Sequence, residues 1–468
     1  MSKLHQSGDF LFKQIYDYVV HRIERKEWKK DEKLPSVRQL AIELNVNRLT
    51  VLKAYQLLKK EGIVYVKDKS GYYVLGDIQE HEKASIHKPI LSLPQQQNRL
   101  SAIHQEKVIY NFSQALIDPN LLPNHFLSDY VKKVFDLYPK VLSTYSTVQG
   151  DEELRQLLTD YFVGQYKTYV EADQLLIISG SQQGIQLVAQ TFIKPRDYVL
   201  IERPSYSAAI DCFRAHGAKL IPIDITPEGY HLQQVEQFMK QYKPRIFYLN
   251  PTFHNPTGYT VPPWQRKKLV ELAETYRCLL VEDDAYHDIY FDEEPPPPLY
   301  TYDSGNTVLY IRSFCKYISP GLRIATMICP VALLQALLTT KSLADNGSPL
   351  LNQKIFMHYF SSLRLQQHIE KIRIALQIRK EIMEEELANT GWSWISPKGG
   401  LNLWVQLPSY LNTEHLYSQC LKESISFVPG SNCDPTYQST SSIRLSYSYM
   451  NERQIEEGMK RFVHLATK

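Results

Sequence analysis

The sequence has no long apolar run. Even its most hydrophobic stretches, such as "QLLIISG", are soon broken by polar residues. None approaches the ~20 consecutive apolar residues that a membrane span needs. The first residues, "MSKLHQSGDFLFKQ", offer neither the apolar region nor the small-residue cleavage site of a secretory signal. Cysteine is sparse. Cys212, Cys278, Cys315, Cys329, Cys420 and Cys433 are scattered, with no CxxC pair. Such thiols fit a reducing cytoplasm and argue against a structural zinc site, so no metal ligands are expected. The longest proline run, Pro295–Pro298, is too short for a proline-recognition ligand and reads as a stiff loop.

Net charge is small as well, at +3, but it is unevenly divided. Met1–Gly76 holds 15 Lys+Arg against 9 Asp+Glu, a net of +6, which leaves −3 for the rest. A basic N-terminal piece on a slightly acidic body points to a polyanion-binding module attached to something else. A chain of 468 residues is also too long for one core.

Within the basic piece, Phe12, Ile15, Tyr16, Val19 and Ile23 recur at helical spacing. In "LPSVRQLAIEL", Ser36 and Gln39 form a capping box, with Val37, Leu40, Ala41 and Leu44 on one face. Asn47 is placed to cap a third helix that buries Val51, Ala54, Tyr55 and Leu58 and stops at Gly62. "IVYVKDKSGYYVLG" reads as two strands around a turn. Three helices and a hairpin make a winged helix-turn-helix, assigned to residues 1–76. Residues 77–107 are rich in Pro, Gln and charge and read as a linker, reaching roughly 30 Å root-mean-square if flexible; an extra helix packed on either domain is the alternative for part of the stretch. From Val108 to Lys468, β-rich runs ("YVLIERP", "RIFYLNP", "CLLVEDDAY", "TVLYIRSF", "IATMICP") alternate with helical segments. That rhythm predicts an α/β domain with a mostly parallel central sheet, whose strand ends line a ligand crevice. "GGLNLWVQLP" and "IRLSYSYM" supply a small terminal subdomain.

The run "SFCKYISPGLRIA" holds a lysine, Lys316, between a small hydroxylated residue and a Pro-Gly turn followed by an arginine. A lysine amine forms a Schiff base with an aldehyde. A pyridoxal phosphate site needs such a lysine, a carboxylate at the pyridine nitrogen, donors to the ring oxygen and the phosphate, and an aromatic for the ring. The region 108–468 resembles the class I aminotransferases of the aspartate aminotransferase fold, and the resemblance implies a role for each residue. Lys316 would be the Schiff-base lysine, with Asp283 and Tyr286 of "VEDDAYHDIYF" completing the catalytic set: Asp283 at the pyridine nitrogen, Tyr286 on the ring oxygen. Asn255 of "HNPTG" would share that oxygen. Ser181 and Gln182 of "ISGSQQGIQL", Ser313 and Arg323 would hold the phosphate, and Tyr206 of "ERPSYSAAI" would stack on the ring. Tyr145 of "TYSTVQGDEELR" would reach the phosphate of a neighbouring subunit, and Arg444 of "IRLSYS" would take a substrate α-carboxylate. Cys315 stands where a small hydroxyl residue is common and Ala325 where glycine is frequent. Ala115 lies near the place of a substrate-pocket glycine, where its methyl would narrow the pocket.

The N-terminal piece resembles the GntR family over "LPSVRQLAIELNVNRLTVLKAYQLLKKEGIVY" and the wing "KDKSGYYV". Behind the cap Asn47, residues Arg48, Leu49, Thr50 and Lys53 lie at the start of the third helix, where a recognition helix meets base edges and phosphates. The resemblance adds Arg38 on the DNA backbone and Lys67, Lys69 and Gly71 in the wing. The whole order resembles the MocR/GabR regulators. It implies a cytoplasmic head-to-tail homodimer that binds pyridoxal phosphate, double-stranded DNA and an amino acid or amine effector, with no membrane partner. Two alternatives stay open. One is a working aminotransferase with DNA binding added, because "EDDAYHDIY" looks closer to free-standing aminotransferases than to the "EDDYDSEF" form. The other is an aminotransferase fold kept as a dimerisation scaffold.

Overall fold

The computed structural model describes residues 11–25, 27–67, 70–75 and 99–467. The chain forms two compact units that divide between Gln95 and Gln96.

In the first unit, helices α1 (Leu11–Glu24), α2 (Val37–Glu43) and α3 (Arg48–Lys60) are followed by strands β1 (Val64–Lys67) and β2 (Gly71–Val74), paired antiparallel. Ile15, Val19 and Ile23 of α1 meet Leu40 and Ala41 of α2 and Val51, Ala54, Tyr55 and Leu58 of α3 in one core. The capping box closes as its sequence dictates: Gln39 N donates to Ser36 Oγ at 3.2 Å, and Ser36 N donates to Gln39 Oε1 at 2.9 Å. Tyr55 donates to the Pro35 carbonyl at 2.8 Å, tying α3 to the start of α2.

The second unit begins with a helix within the stretch read as linker. Arg99–Gln105 is helical, and Leu100 and Ile103 pack on Val428 and Cys433. The rest of that stretch, up to residue 98, lies outside the described residues. Strand β3 (Tyr110–Asn111) comes next. Strands β4 (Leu175–Ile178), β5 (Tyr198–Arg203), β6 (Lys219–Thr226), β7 (Gly229–Tyr230), β8 (Ile246–Leu249), β9 (Leu279–Asp284), β10 (Val308–Ser313) and β11 (Ala325–Ile328) form an eight-stranded sheet ordered β4-β11-β10-β9-β8-β5-β6-β7. Neighbours from β10 through β6 run parallel; β11 and the edge strand β7 pair antiparallel. The inner strands "IFYL" and "ATMI", and even the edge strand "LLII", are buried at every position, because helices cover both faces. A smaller antiparallel sheet joins β12 (Ser393–Trp394), β13 (Asn402–Gln406), β15 (Val428–Pro429) and β16 (Ser442–Ser446), while β14 (Ile425–Ser426) pairs with β3.

Candidate functional site

Chain order along the large sheet reverses beside β5: β6 lies on one side and β8, β9 and β10 on the other. In such sheets the crevice beyond the carboxyl ends of the strands is where ligands bind. A cavity of 240 Å³ opens there. Ten of the eleven residues assigned to the cofactor and substrate line it: Ser181, Gln182, Tyr206, Asn255, Asp283, Tyr286, Ser313, Lys316, Arg323 and Arg444. The eleventh, Tyr145, does not line it and is 87% exposed. Ala115 is in the wall; Ala325 is buried in β11, opposite Ser313.

Asp283 ends β9. One carboxylate oxygen accepts from Tyr248 at 2.8 Å; the other is buried with no partner. Burial pushes its pKa up to about 7. An unpartnered acceptor at the floor of the cavity suits a protonated ring nitrogen. Asn250 donates to the Asp283 carbonyl and accepts from Asn255 N at 2.7 Å, so one side chain ties the carboxylate strand to the "HNPTG" turn. Asn255 Nδ2 lies 3.5 Å from the Tyr286 hydroxyl, which burial holds up at about 12. Both face one place, where they can hold a ring oxygen.

Lys316 Nζ donates to the Ala115 carbonyl at 3.1 Å. Burial lowers its pKa to about 8, with Arg444 and Arg323 pressing the same way. The amine is thereby brought nearer to its neutral, nucleophilic form. Cys315 beside it is buried, with its thiol pKa raised by burial, and donates to the Ile324 carbonyl at 3.2 Å, the setting of an inert thiol.

Ser181 and Gln182 open the helix Ser181–Phe192, so its free backbone donors face the cavity. Gly180 before it has φ +87°, and a Cβ there would lie 2.6 Å from Arg323 Nη2. A glycine is needed for the guanidinium to come this close to the helix start. Arg323, itself at φ +57°, donates to the Ser179 carbonyl at 2.9 Å. Helix start, Ser313 and Arg323 form a cradle suited to a phosphate. The donor sets and the open Asp283 oxygen together fit pyridoxal phosphate. At the opposite wall, Arg444 of β16 donates to Asn255 Oδ1 at 3.1 Å and to the Ser113 carbonyl, while its buried Nε has no partner.

Four wall residues escape the motif reading: Leu100, His104, Tyr248 and Asn250. Tyr248 sits in an apolar strand run and reads as core. Asn250 stands before Pro251 and reads as a turn.

In the first unit, Asn47 caps α3 by accepting from Leu49 N at 2.9 Å. Arg48 and Lys53 on α3 and Arg38 on α2 are exposed, Thr50 is half-buried, and Leu49 is 65% exposed. An apolar side chain so open at a helix start suits contact with a base methyl. Lys67 is exposed, with its amine over the Tyr65 and Tyr73 rings. Gly71, at φ +126°, makes the backbone turn into β2. Lys69 lies outside the described residues.

Comparison with known proteins agrees with both units. Residues 123–462 match the family described as aminotransferase class I and II, and residues 11–74 match the bacterial regulatory proteins of the gntR family. The chain belongs to the MocR/GabR type, a GntR helix-turn-helix followed by a class I/II aminotransferase domain. It is 30% identical to YisV of Bacillus subtilis, an uncharacterized HTH-type transcriptional regulator, over 96% of this chain and 94% of that protein. It is 27% identical to the HTH-type transcriptional regulator NorG of Staphylococcus aureus, over 91% and 98%. Among solved structures, LysN of Thermus thermophilus, an alpha-aminoadipate aminotransferase complexed with N-(5'-phosphopyridoxyl)-L-leucine, superposes with a TM-score of 0.73 at 30% identity, covering 79% of this chain and 94% of that one.

Proposed function

We propose that the chain is a pyridoxal-phosphate-dependent, DNA-binding transcriptional regulator that senses an amino acid, an amine or the cofactor itself through Lys316. The observation that carries the reading is the cavity. It holds a partly deprotonated lysine, a carboxylate with an open oxygen and an arginine with an open donor, on a chain whose winged helix keeps its cap and basic face. Bound pyridoxal phosphate supplies an aldehyde and an electron sink. The chain's own groups divide the remaining work. Lys316 would hold the aldehyde end of the cofactor, and the open Asp283 oxygen would face its ring nitrogen. Asn255 and Tyr286 fix the ring oxygen, Tyr206 covers the ring, and the helix start with Ser313 and Arg323 anchors the phosphate. Arg444, whose Nε has no partner, would meet a ligand carboxylate through charge-assisted hydrogen bonds. Among the described residues no helix is long and apolar enough to cross a membrane. The proposed place of action is the cytoplasm, on the chain's own operator DNA. The exposure of Tyr145 supports its donation to the phosphate of a second subunit, and hence a head-to-tail homodimer. Two tethered winged helices on such a body would engage two half-sites. The test is parallel measurement of cofactor absorbance and binding to the chain's upstream DNA, with a panel of amino acids and amines.

A second reading, a working aminotransferase with an attached DNA module, is favoured by the complete set Lys316, Asp283 and Tyr286. Full turnover between an amino acid and a 2-oxo acid would support it.

Two further results are expected. Arg48→Ala should lower operator affinity by about 1–3 kcal/mol, or reduce the salt slope by about one if Arg48 meets a phosphate, and leave the cofactor absorbance unchanged. Gel-shift titration at several salt concentrations checks this; unaltered binding would remove Arg48 from the interface. The second concerns pH. The raised pKa of Asp283 contributes stability to the cofactor-free protein that is present below the usual carboxylate value and lost as pH rises towards about 7. A protonated ring nitrogen opposite the open oxygen favours the ionised form and restores that stability. The rise in melting temperature on adding pyridoxal phosphate should therefore be larger at about pH 8 than at about pH 5. Asp283→Asn should reduce the difference, as scanning fluorimetry with and without cofactor would show.

A further inference from the structure

The parallel strands of the large sheet have two ends. Their carboxyl ends face the cavity, and their amino ends carry the turns that lead from helices back into β5, β6, β8 and β9. Those turns are basic. Lys194 and Arg196 precede β5, Lys219 opens β6, Lys243 and Arg245 precede β8, and Arg277 precedes β9; all six are exposed. The strand register sets them side by side. Tyr198 is paired with Lys219, Arg245 N donates to the Tyr198 carbonyl at 2.9 Å, and Leu279 N donates to the Arg245 carbonyl at 3.0 Å. With ~4.8 Å between neighbouring strands, the row from β6 to β9 extends over roughly 14 Å.

Little at this end of the sheet offsets the charge. Arg245 pairs with Asp197 at 3.1 Å. Glu274 accepts from the Ser304 hydroxyl at 3.2 Å, and Asp303 accepts from Gly305 N and Thr307 N in the turn before β10. Among the described residues, Lys194, Arg196, Lys219, Lys243 and Arg277 form no ion pair, although the chain from residue 77 onward carries a net charge of −3. Arg196, Lys243 and Arg277 also hold left-handed backbone, at φ +77°, +46° and +53°. Glycine or asparagine fills such a position after a helix at less cost. A cation after a helix meets its negative end, and one serves each helix. Here four turns hold six.

We propose that this row is a second, sequence-independent DNA contact, whose cations meet phosphates of the same duplex that the winged helix binds. The inference goes beyond the cofactor reading and rests on DNA binding by the first unit. A row of roughly 14 Å can meet phosphates on both sides of a groove, ~12 Å wide for the major groove. Exposed cations without a fixed acceptor answer to the charge density of a backbone and carry no base readout. The partner is double-stranded DNA because the chain already carries a module for it.

The experiment compares the full-length, cofactor-loaded chain with a variant carrying Lys194→Gln, Lys219→Gln, Lys243→Gln and Arg277→Gln. Two duplexes are used: the chain's full upstream region, and the shortest fragment of it whose binding still depends on Arg48. Affinity for each is measured over a range of salt concentrations. On the long duplex, the slope of log affinity against log salt should become shallower by about 0.9 for each cation that meets a phosphate, about two to four in all. On the short duplex the slope should not change. A change of less than about one on the long duplex would overturn the proposal. A lower melting temperature with both slopes unaltered would overturn it too, and would leave the cations as partners of helix ends. The parent chain gives a check that needs no variant. Acetylation of Lys194, Lys219 and Lys243 by N-hydroxysuccinimidyl acetate, read by mass spectrometry, should slow severalfold with the long duplex and stay unchanged with the short one. Equal labelling with and without the long duplex would contradict the proposal. If neither duplex binds the parent chain, the DNA-binding reading of the first unit fails, and the proposal fails with it.

Discussion

Lys316→Ala is expected to abolish covalent attachment of pyridoxal phosphate altogether. The parent chain should show a visible absorption band that borohydride bleaches, with the reduced adduct fixed on this lysine. The variant should show no such band, retaining at most cofactor held through the phosphate cradle. Lys316 is the lysine that lines the cavity; its amine meets the Ala115 carbonyl and is lowered to about 8 by burial. Peptide mapping of the reduced protein is the check. An adduct on any other lysine would mean that the cavity is not organised around Lys316.

Asp283→Ala should weaken cofactor binding by about a hundredfold or more, since removing one partner from a buried ion pair costs about 3–5 kcal/mol. The loss is twofold. The ring nitrogen is left without its carboxylate, and the Tyr248 hydroxyl without its acceptor. Any half-reaction with an amine that reacts in the parent should slow sharply, because an unprotonated ring is a poorer electron sink. Fluorescence titration of the cofactor-free variant measures the first effect, and single-turnover spectroscopy the second. An affinity within about threefold of the parent would show that Asp283 does not face the ring nitrogen.

Both substitutions fall on residues that the sequence makes legible, for a physical reason. Asp283, Ser313 and Lys316 follow or end apolar strand runs, where a polar residue has no place in the core and must face the crevice. The same holds for Asn255 in its Pro-Gly turn and Ser181 at a helix start. Residues inside regular elements are harder to find. Tyr248 has a strand neighbour on either side and reads as one more core aromatic. Strand β6, "KLIPIDIT", is obscured by Pro222, which the sheet accepts because β7 pairs with β6 only at Ile225 and Thr226. The helix Arg99–Gln105 is short and follows a Pro- and Gln-rich stretch. Its one signal is the spacing of Leu100 and Ile103, too little to separate it from a linker until Val428 and Cys433 are seen beneath it. Tyr145, proposed to serve a second subunit, lies exposed and outside the cavity wall, so its assignment rests on the resemblance alone.

The central claim is that the cofactor cavity and the winged helix are two ends of one equilibrium. Binding of an identified effector alters DNA affinity only if it favours one arrangement of the chain over another, and by reciprocity DNA alters effector affinity by the same factor. The direct measurement is fluorescence anisotropy of a duplex taken from the chain's own upstream DNA, at fixed salt. It would be titrated with cofactor-free protein, with cofactor-loaded protein, and with loaded protein saturated by an amino acid or amine that shifts its absorbance. At least one of these states should differ from the others by about 5- to 150-fold in affinity, and Lys316→Ala should remove the difference. Three superimposable isotherms would contradict it.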